Sequence, residues 1–274
     1  DLTAVGGSAE HIYDWSFFSW ITVPSPKCYC KHLFGRTVLL SGAITQCCFW
    51  GENRVFNVET LDPNVPPEQT VREYIQKLQH YRVRAMAGEV PAYCAGCPNL
   101  EDHFVGDRLQ LDVVGFSASA HCNAECIYCT AILETEIKKL PYDAKGYGEL
   151  FLEILRSLDA GGYLAPGANI SLAGGELSVS PVREPLVNFA LTHPNYQYTV
   201  LSNCAVYREG IARMLSQNSV NEIMCDLDAG TPETYLLMKG FNYFDKVEEN
   251  LKKYARHGRV VLKYIVMPGF NTAM

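Results

Sequence analysis

From residue 111 onward, short apolar runs alternate with longer stretches in which apolar residues recur every three or four positions. Apolar runs bounded by turn residues read as strands, and the longer period reads as amphipathic helix. Strands are predicted at residues 111–117, 169–173, 197–201, 222–227 and 259–267, with helices at 144–160, 182–191, 207–215 and 243–257. In the first of these helices Leu150, Phe151, Ile154, Leu155 and Leu158 share one face, and Gly161-Gly162 closes it. Thr231-Pro232 is a further helix start, with proline suited to the first turn. Strands alternating with helices predict an α/β fold with a parallel sheet and crossover connections. In barrels of such units, chemistry gathers at the carboxyl ends of the strands.

The first hundred residues follow a different rhythm. Residues 1–20 are rich in aromatics and lack a clear period. Residues 37–40 and 43–49 read as two strands joined by Ser41-Gly42, a β-hairpin that ends in Cys47-Cys48. A proline-rich stretch at 62–67 leads into a helix at 71–87, with Val71, Ile75, Leu78 and Arg82 on one side. It delivers the chain to Cys94-Ala95-Gly96-Cys97. Residues 1–105 are therefore expected to form a small cysteine-rich module and residues 106–274 the α/β domain.

Composition narrows the function. A 48% hydrophobic content over 274 residues supports a sizeable core. A net charge of −7 without any Lys/Arg cluster gives no electrostatic footprint for nucleic acid. No apolar run approaches the roughly 18 residues a membrane helix needs, and the start lacks a basic-then-apolar pattern. A soluble cytoplasmic protein, with neither membrane nor nucleic-acid partner, is expected. Eleven cysteines, an odd number without a secretion signal, point to metal and away from a disulfide framework. A chain that begins with Asp1 and stops soon after its last strand is expected to be a piece of a longer protein.

The sharpest motif is Cys122-x3-Cys126-x2-Cys129, directly after the strand at 111–117. Three thiolates on one loop can hold three irons of a cubane cluster and leave the fourth open for chemistry. The plainer readings are a zinc knuckle completed by His121 or a distant group, a disulfide pair plus one thiol, or a ferredoxin-like electron carrier. With Tyr128 just before its last cysteine, the motif resembles the signature of the radical S-adenosylmethionine (radical SAM) superfamily. The resemblance implies a partial (β/α)6 barrel, here ending after the fifth strand, and a 4Fe–4S cluster on Cys122, Cys126 and Cys129. It also implies S-adenosylmethionine (SAM), cleaved to a 5′-deoxyadenosyl radical that takes hydrogen from substrate, and a reductant such as flavodoxin or ferredoxin.

Gly174-Gly175-Glu176, one strand–helix step later, resembles the family's GGE motif, whose backbone and carboxylate hold the SAM ammonium group. Two glycines permit close backbone approach and a carboxylate pairs with a cation. On the same resemblance Tyr128, Ser202, Asn203, Asp226 and Asp228 are candidate SAM contacts, although Ser, Asn and Asp also favour turns and helix caps. Lys263, in an apolar strand, either points into the barrel toward SAM or substrate or snorkels outward. Cys204 and Cys225 read as buried packing. The hairpin and the Cys94–Cys97 pair look like a SPASM or twitch auxiliary-cluster module, displaced to the N-terminal side. Its expected ligands are Cys28, Cys47, Cys94 and Cys97, with Cys30 and Cys48 in reserve; a zinc ribbon is the alternative. SPASM resemblance, carried also by residues 226–234, implies a peptide or protein substrate, and small molecules are handled by related members. The rival function is a zinc-stabilised binding protein with a catalytically silent α/β domain.

Overall fold

The computed structural model describes residues 20–22, 36–40, 43–45, 57–60, 62, 64–91, 109–117, 121–129 and 144–271. In chain order the elements begin with β1 (Trp20–Thr22), β2 (Arg36–Leu40), β3 (Ala43–Thr45), β4 (Asn57–Thr60), α1 (Pro67–Met86) and β5 (Glu89–Pro91). They continue with β6 (Leu111–Ser117), α2 (Ala144–Ala160), β7 (Leu164–Ala173), α3 (Arg183–Thr192), β8 (Gln197–Ser202) and α4 (Glu209–Ser216). The last are β9 (Glu222–Asp226), α5 (Pro232–Lys239), α6 (Phe244–Tyr254) and β10 (Arg259–Lys263). The chain groups into two compact units, Asp1–Cys30 with His80–Val105, and Lys31–Gln79 with Gly106–Met274.

In the first unit β1 and β5 pair antiparallel, Ile21 opposite Val90. Arg84 Nε donates to Glu89 Oε2 at 2.7 Å.

The second unit is built on one sheet in the order β10-β9-β8-β7-β6-β2-β3-β4. The five strands expected from residue 111 onward all form, and β6 to β10 pair parallel in sequence order. The hairpin also forms, Leu40 opposite Ala43. It does not belong with the cysteine-rich segment alone, however: β2 pairs parallel with β6, Arg36 opposite Val113 and Leu39 opposite Phe116. The outer edge of β6 would otherwise present unpaired backbone groups, and β2 supplies the partner. The sheet therefore begins upstream of the expected boundary at 105/106, and residues 31–79 group with it.

Alternation along the strands sets two faces. Val114, Ile170, Leu172, Tyr198, Val200, Ile223 and Cys225 are buried, as are Phe151, Ile154, Leu155 and Leu158 of α2 and Ile211, Met214 and Leu215 of α4. Leu150, expected with its α2 neighbours, is half-buried. The other face carries a polar row at its amino-terminal end, where Asn169 Nδ2 donates to Thr199 Oγ1 at 3.0 Å and Thr199 Oγ1 to Glu222 Oε1 at 3.4 Å.

α2 has its expected limits. α1 buries Val71, Ile75 and Leu78 as its period predicts, and Tyr74, Tyr81 and Ala85 complete the stripe, while Arg82 is only half-buried. β7 starts five residues early, through Pro166 and Gly167, because the register with β6 shifts between Leu111 and Val113 and absorbs them. β10 stops at Lys263, not at 267. Beyond it Asn271 folds the chain back, accepting from Met267 N at 2.7 Å and donating to Ile265 O at 2.7 Å. α5 is a full helix: the Thr231 side chain accepts from Thr234 N, Pro232 opens the first turn, and Gly240 closes it at φ 77°.

Candidate active site at the carboxyl ends of β6 to β10

The three cysteines lie on the loop that leaves β6, and all are free thiols. Two contacts fix the loop's backbone. Glu125 N donates to Lys239 O at 2.9 Å and Ile127 N to Met238 O at 3.1 Å. These carbonyls end α5 and have no partner within the helix, so the loop caps it. Gly240 makes this possible, since a Cβ there would stand 2.9 Å from Glu125 Cβ.

On the other side, the turn after β7 meets the loop. Gly174 and Gly175 both have positive φ, 83° and 59°, a conformation that favours glycine. They turn the chain so that Glu176 N donates to His121 O at 2.7 Å. The Glu176 side chain is 1% exposed. Its Oε1 accepts from Ser178 N and Ser202 Oγ, both at 2.9 Å, and Oε2 accepts from Asn203 N at 2.6 Å. The carboxylate expected to face the SAM ammonium group thus ties the ends of β7 and β8 together, because a buried charge needs donors around it. Asn203 Nδ2 donates to Asn123 Oδ1 at 2.8 Å and makes a long 3.9 Å contact with Cys122 Sγ. The turn after β7, the end of β8 and the cysteine loop are therefore one connected site.

Asp226 and Lys263 end neighbouring strands in register. Their ion pair, Lys263 Nζ to Asp226 Oδ1 at 3.2 Å, is close in distance but misaligned for a hydrogen bond, so Oδ1 remains buried without one. Lys263 is half-exposed on this end of the sheet, paired and not snorkelling alone.

Asp228 departs from expectation. A candidate SAM contact, it has a fully buried side chain. Backbone φ of 55° turns it inward, where Oδ2 accepts from the Tyr128 hydroxyl and from Lys239 Nζ, the latter at 2.6 Å, while Oδ1 accepts from Ile265 N at 2.6 Å. Lys239 Nζ also donates to Tyr128 Oη and lies 5.0 Å from the centre of its ring. Tyr128, too, has its hydroxyl committed to protein. Lys239 and Asn271, which donates to Asp228 O at 2.9 Å, escaped the sequence reading. A lysine directly after Tyr235-Leu236-Leu237-Met238 was the available signal.

Burial pushes the thiols of Cys122 and Cys126 up. Cys122 stays accessible, yet it also feels Glu176 and the two other cysteines. At Cys126 the Lys239 ammonium group opposes the rise. Thiolates carried on one loop repel one another, and positive irons would relieve that.

The donor set suits a cubane. Three free cysteines on one loop supply the three thiolates, although among the described residues no three His, Cys, Asp or Glu side chains stand close enough together to hold a single ion. A cubane places each thiolate on its own iron, so it asks for cysteines spaced around a loop. Cys28, Cys47, Cys94 and Cys97, and the reserve candidates Cys30 and Cys48, lie outside the described residues. No helix among the described residues is long and apolar enough to cross a membrane.

Residues 116–274 match the Radical SAM superfamily. An uncharacterized protein of Methanocaldococcus jannaschii is 23% identical over 179 residues, 65% of this chain and 55% of that protein. Among solved structures, Streptococcus suis SuiB bound to S-adenosylmethionine aligns over 71% of this chain and 40% of its own, at 13% identity and TM-score 0.42. TYW1 with a lysine-pyruvate adduct aligns over 57% and 55%, at 14% identity and TM-score 0.36. The chain spans about half the length of the relative it matches.

Proposed function

The chain belongs to the radical SAM superfamily, and from that premise we propose that Cys122, Cys126 and Cys129 hold a 4Fe–4S cluster at which SAM is reductively cleaved. The observation that carries this reading is the contact between the Gly174-Gly175-Glu176 turn and the cysteine loop, made by Glu176 N and His121 O. A bound cluster would supply one electron to the sulfonium of SAM, whose C–S bond would break to give methionine and a 5′-deoxyadenosyl radical able to take hydrogen from substrate.

The protein's own residues do the positioning. Gly174 and Gly175 present bare backbone beside the open side of the loop, for the methionine end of SAM. Glu176 sits behind them and holds Ser202 and Asn203 in place through two hydrogen bonds. Asp226 and Lys263, at the adjoining strand ends, form a polar pair that can open toward SAM or substrate.

We propose further that the substrate is a peptide or protein, on the resemblance of residues 226–234 to SPASM-type members, and that flavodoxin or ferredoxin delivers the electron. The cysteines at 28, 47, 94 and 97 are proposed as ligands of an auxiliary iron–sulfur cluster, with zinc as the alternative metal. The test is anaerobic reconstitution with iron and sulfide, then dithionite and SAM, with 5′-deoxyadenosine read by chromatography. The expected product disappears in Cys129→Ala. Product formation that survives Cys129→Ala would overturn the assignment of the loop.

A further inference from the structure

Behind the cysteine loop lies a buried ion pair that the reading above does not use. Lys239 and Asp228 side chains are 1% and 0% exposed. Replacing a buried pair with well-packed apolar side chains is often neutral or stabilising, so stability is a weak account of its presence. Its position is more informative.

Lys239 is fixed to the loop twice. Its carbonyl accepts from Glu125 N at 2.9 Å, and its ammonium group donates to the hydroxyl of Tyr128, the residue between Ile127 and Cys129. Asp228 Oδ2 accepts from that ammonium group and from the Tyr128 hydroxyl, and Asp228 is itself fixed by Ile265 N and, through its carbonyl, by Asn271 Nδ2. A cation and an anion are thus locked beneath one ligand loop, out of water.

An iron–sulfur cluster becomes more negative when reduced. A fixed cation nearby stabilises the added electron and a fixed anion opposes it, and low local dielectric keeps both effects large. Cluster potentials respond to net charge and to hydrogen bonds at the sulfurs. We propose that Lys239 and Asp228 are positioning residues that set the reduction potential of the cluster in opposite senses, Lys239 raising it and Asp228 lowering it, with Tyr128 coupling the pair to the loop. This rests on the loop binding a cluster.

The test is a redox titration of the reconstituted protein, followed by electron paramagnetic resonance of the reduced cluster. Lys239→Met is expected to lower the ratio of reduced to oxidised cluster at fixed poise about tenfold, or about 59 mV for one electron. Asp228→Asn is expected to move the ratio the other way, and Lys239→Arg, which keeps the charge, to restore it. If either single variant fails to load, the double variant Lys239→Met/Asp228→Asn leaves no charge uncompensated, and its two opposed effects are expected to cancel to less than about a tenfold change in the ratio. Single variants that shift together or not at all, or a double variant whose ratio changes tenfold or more in either direction, would overturn the proposal. A purely structural pair would change iron content or unfolding midpoint and leave the potential of the loaded fraction alone. If the wild-type protein assembles no cluster, the reading beneath the proposal fails first.

Discussion

Gly240→Ala is the substitution that most directly probes how the cysteine loop is held. Gly240 has φ 77°, and a Cβ there would stand 2.9 Å from Glu125 Cβ and 3.2 Å from Glu125 O. The left-handed conformation costs an alanine about 1–2 kcal/mol. The clash comes on top, since its second partner is backbone and no rotamer change relieves it. The loop must move, which weakens Glu125 N to Lys239 O and Ile127 N to Met238 O, each worth roughly 0.5–1.5 kcal/mol net. Together these give a destabilisation of about 2–5 kcal/mol. Denaturant unfolding measures it, and two other glycines separate its parts. Gly162 has φ 68° with nothing within 4 Å, so Gly162→Ala reports the conformational cost alone. Gly230 also has nothing within 4 Å and no positive φ, so Gly230→Ala should stay within about 0.5 kcal/mol of wild type. Gly240→Ala should in addition take up less iron on reconstitution. A cost no larger than that of Gly162→Ala, with normal iron uptake, would refute the docking of the loop on α5.

Three further outcomes are expected. Glu176→Gln places an amide N–H among the three donors that now meet a carboxylate, and should cost about 1–3 kcal/mol by denaturant unfolding; an unchanged midpoint would contradict that bonding. Burial and its hydrogen bond to Asp159 push Tyr196 up to about 12, and burial pushes Tyr198, Tyr235 and Tyr254 higher still. The unfolded tyrosines titrate near a pKa of about 10, so this stability is present below that pH and is lost as pH rises through 12. Unfolding measured from pH 9 to 12 should show the decline, with Tyr196→Phe flattening part of it, and a level profile would refute it. Ile154→Ala, at a fully buried position of α2, should cost about 2–5 kcal/mol by the same measurement, and a smaller loss would argue against a tightly packed core there.

What could be read from the sequence depended on how local its cause was. The limits of α2 follow from its period and from Gly161-Gly162, and the site's landmarks at Cys122, Cys126, Cys129 and Gly174-Gly175 each declare themselves within a few residues. The pairing of β2 with β6 is different. A strand at 36–40 carries no local mark of a parallel partner at 113–116, so the sequence alone leaves the hairpin beside the cysteine-rich segment. Lys239 is a sharper case. A lysine in the last turn of a helix ordinarily favours the helix dipole from solvent. Its burial depends on Asp228 and on Tyr128, 111 residues away in the chain. Asp228 was seen as a polar residue at a strand end, but the direction of its side chain is set by a left-handed backbone and by Ile265 N, beyond the next strand.

The most direct test of the central claim is the metal and sulfide content of the anaerobically reconstituted protein, with electron paramagnetic resonance of the reduced sample before and after SAM. The account predicts at least about four irons and four acid-labile sulfides per chain. It also predicts a reduced-cluster signal that changes when SAM binds and that Cys126→Ala abolishes. Zinc without labile sulfide, or a cluster signal indifferent to both SAM and Cys126→Ala, would contradict it.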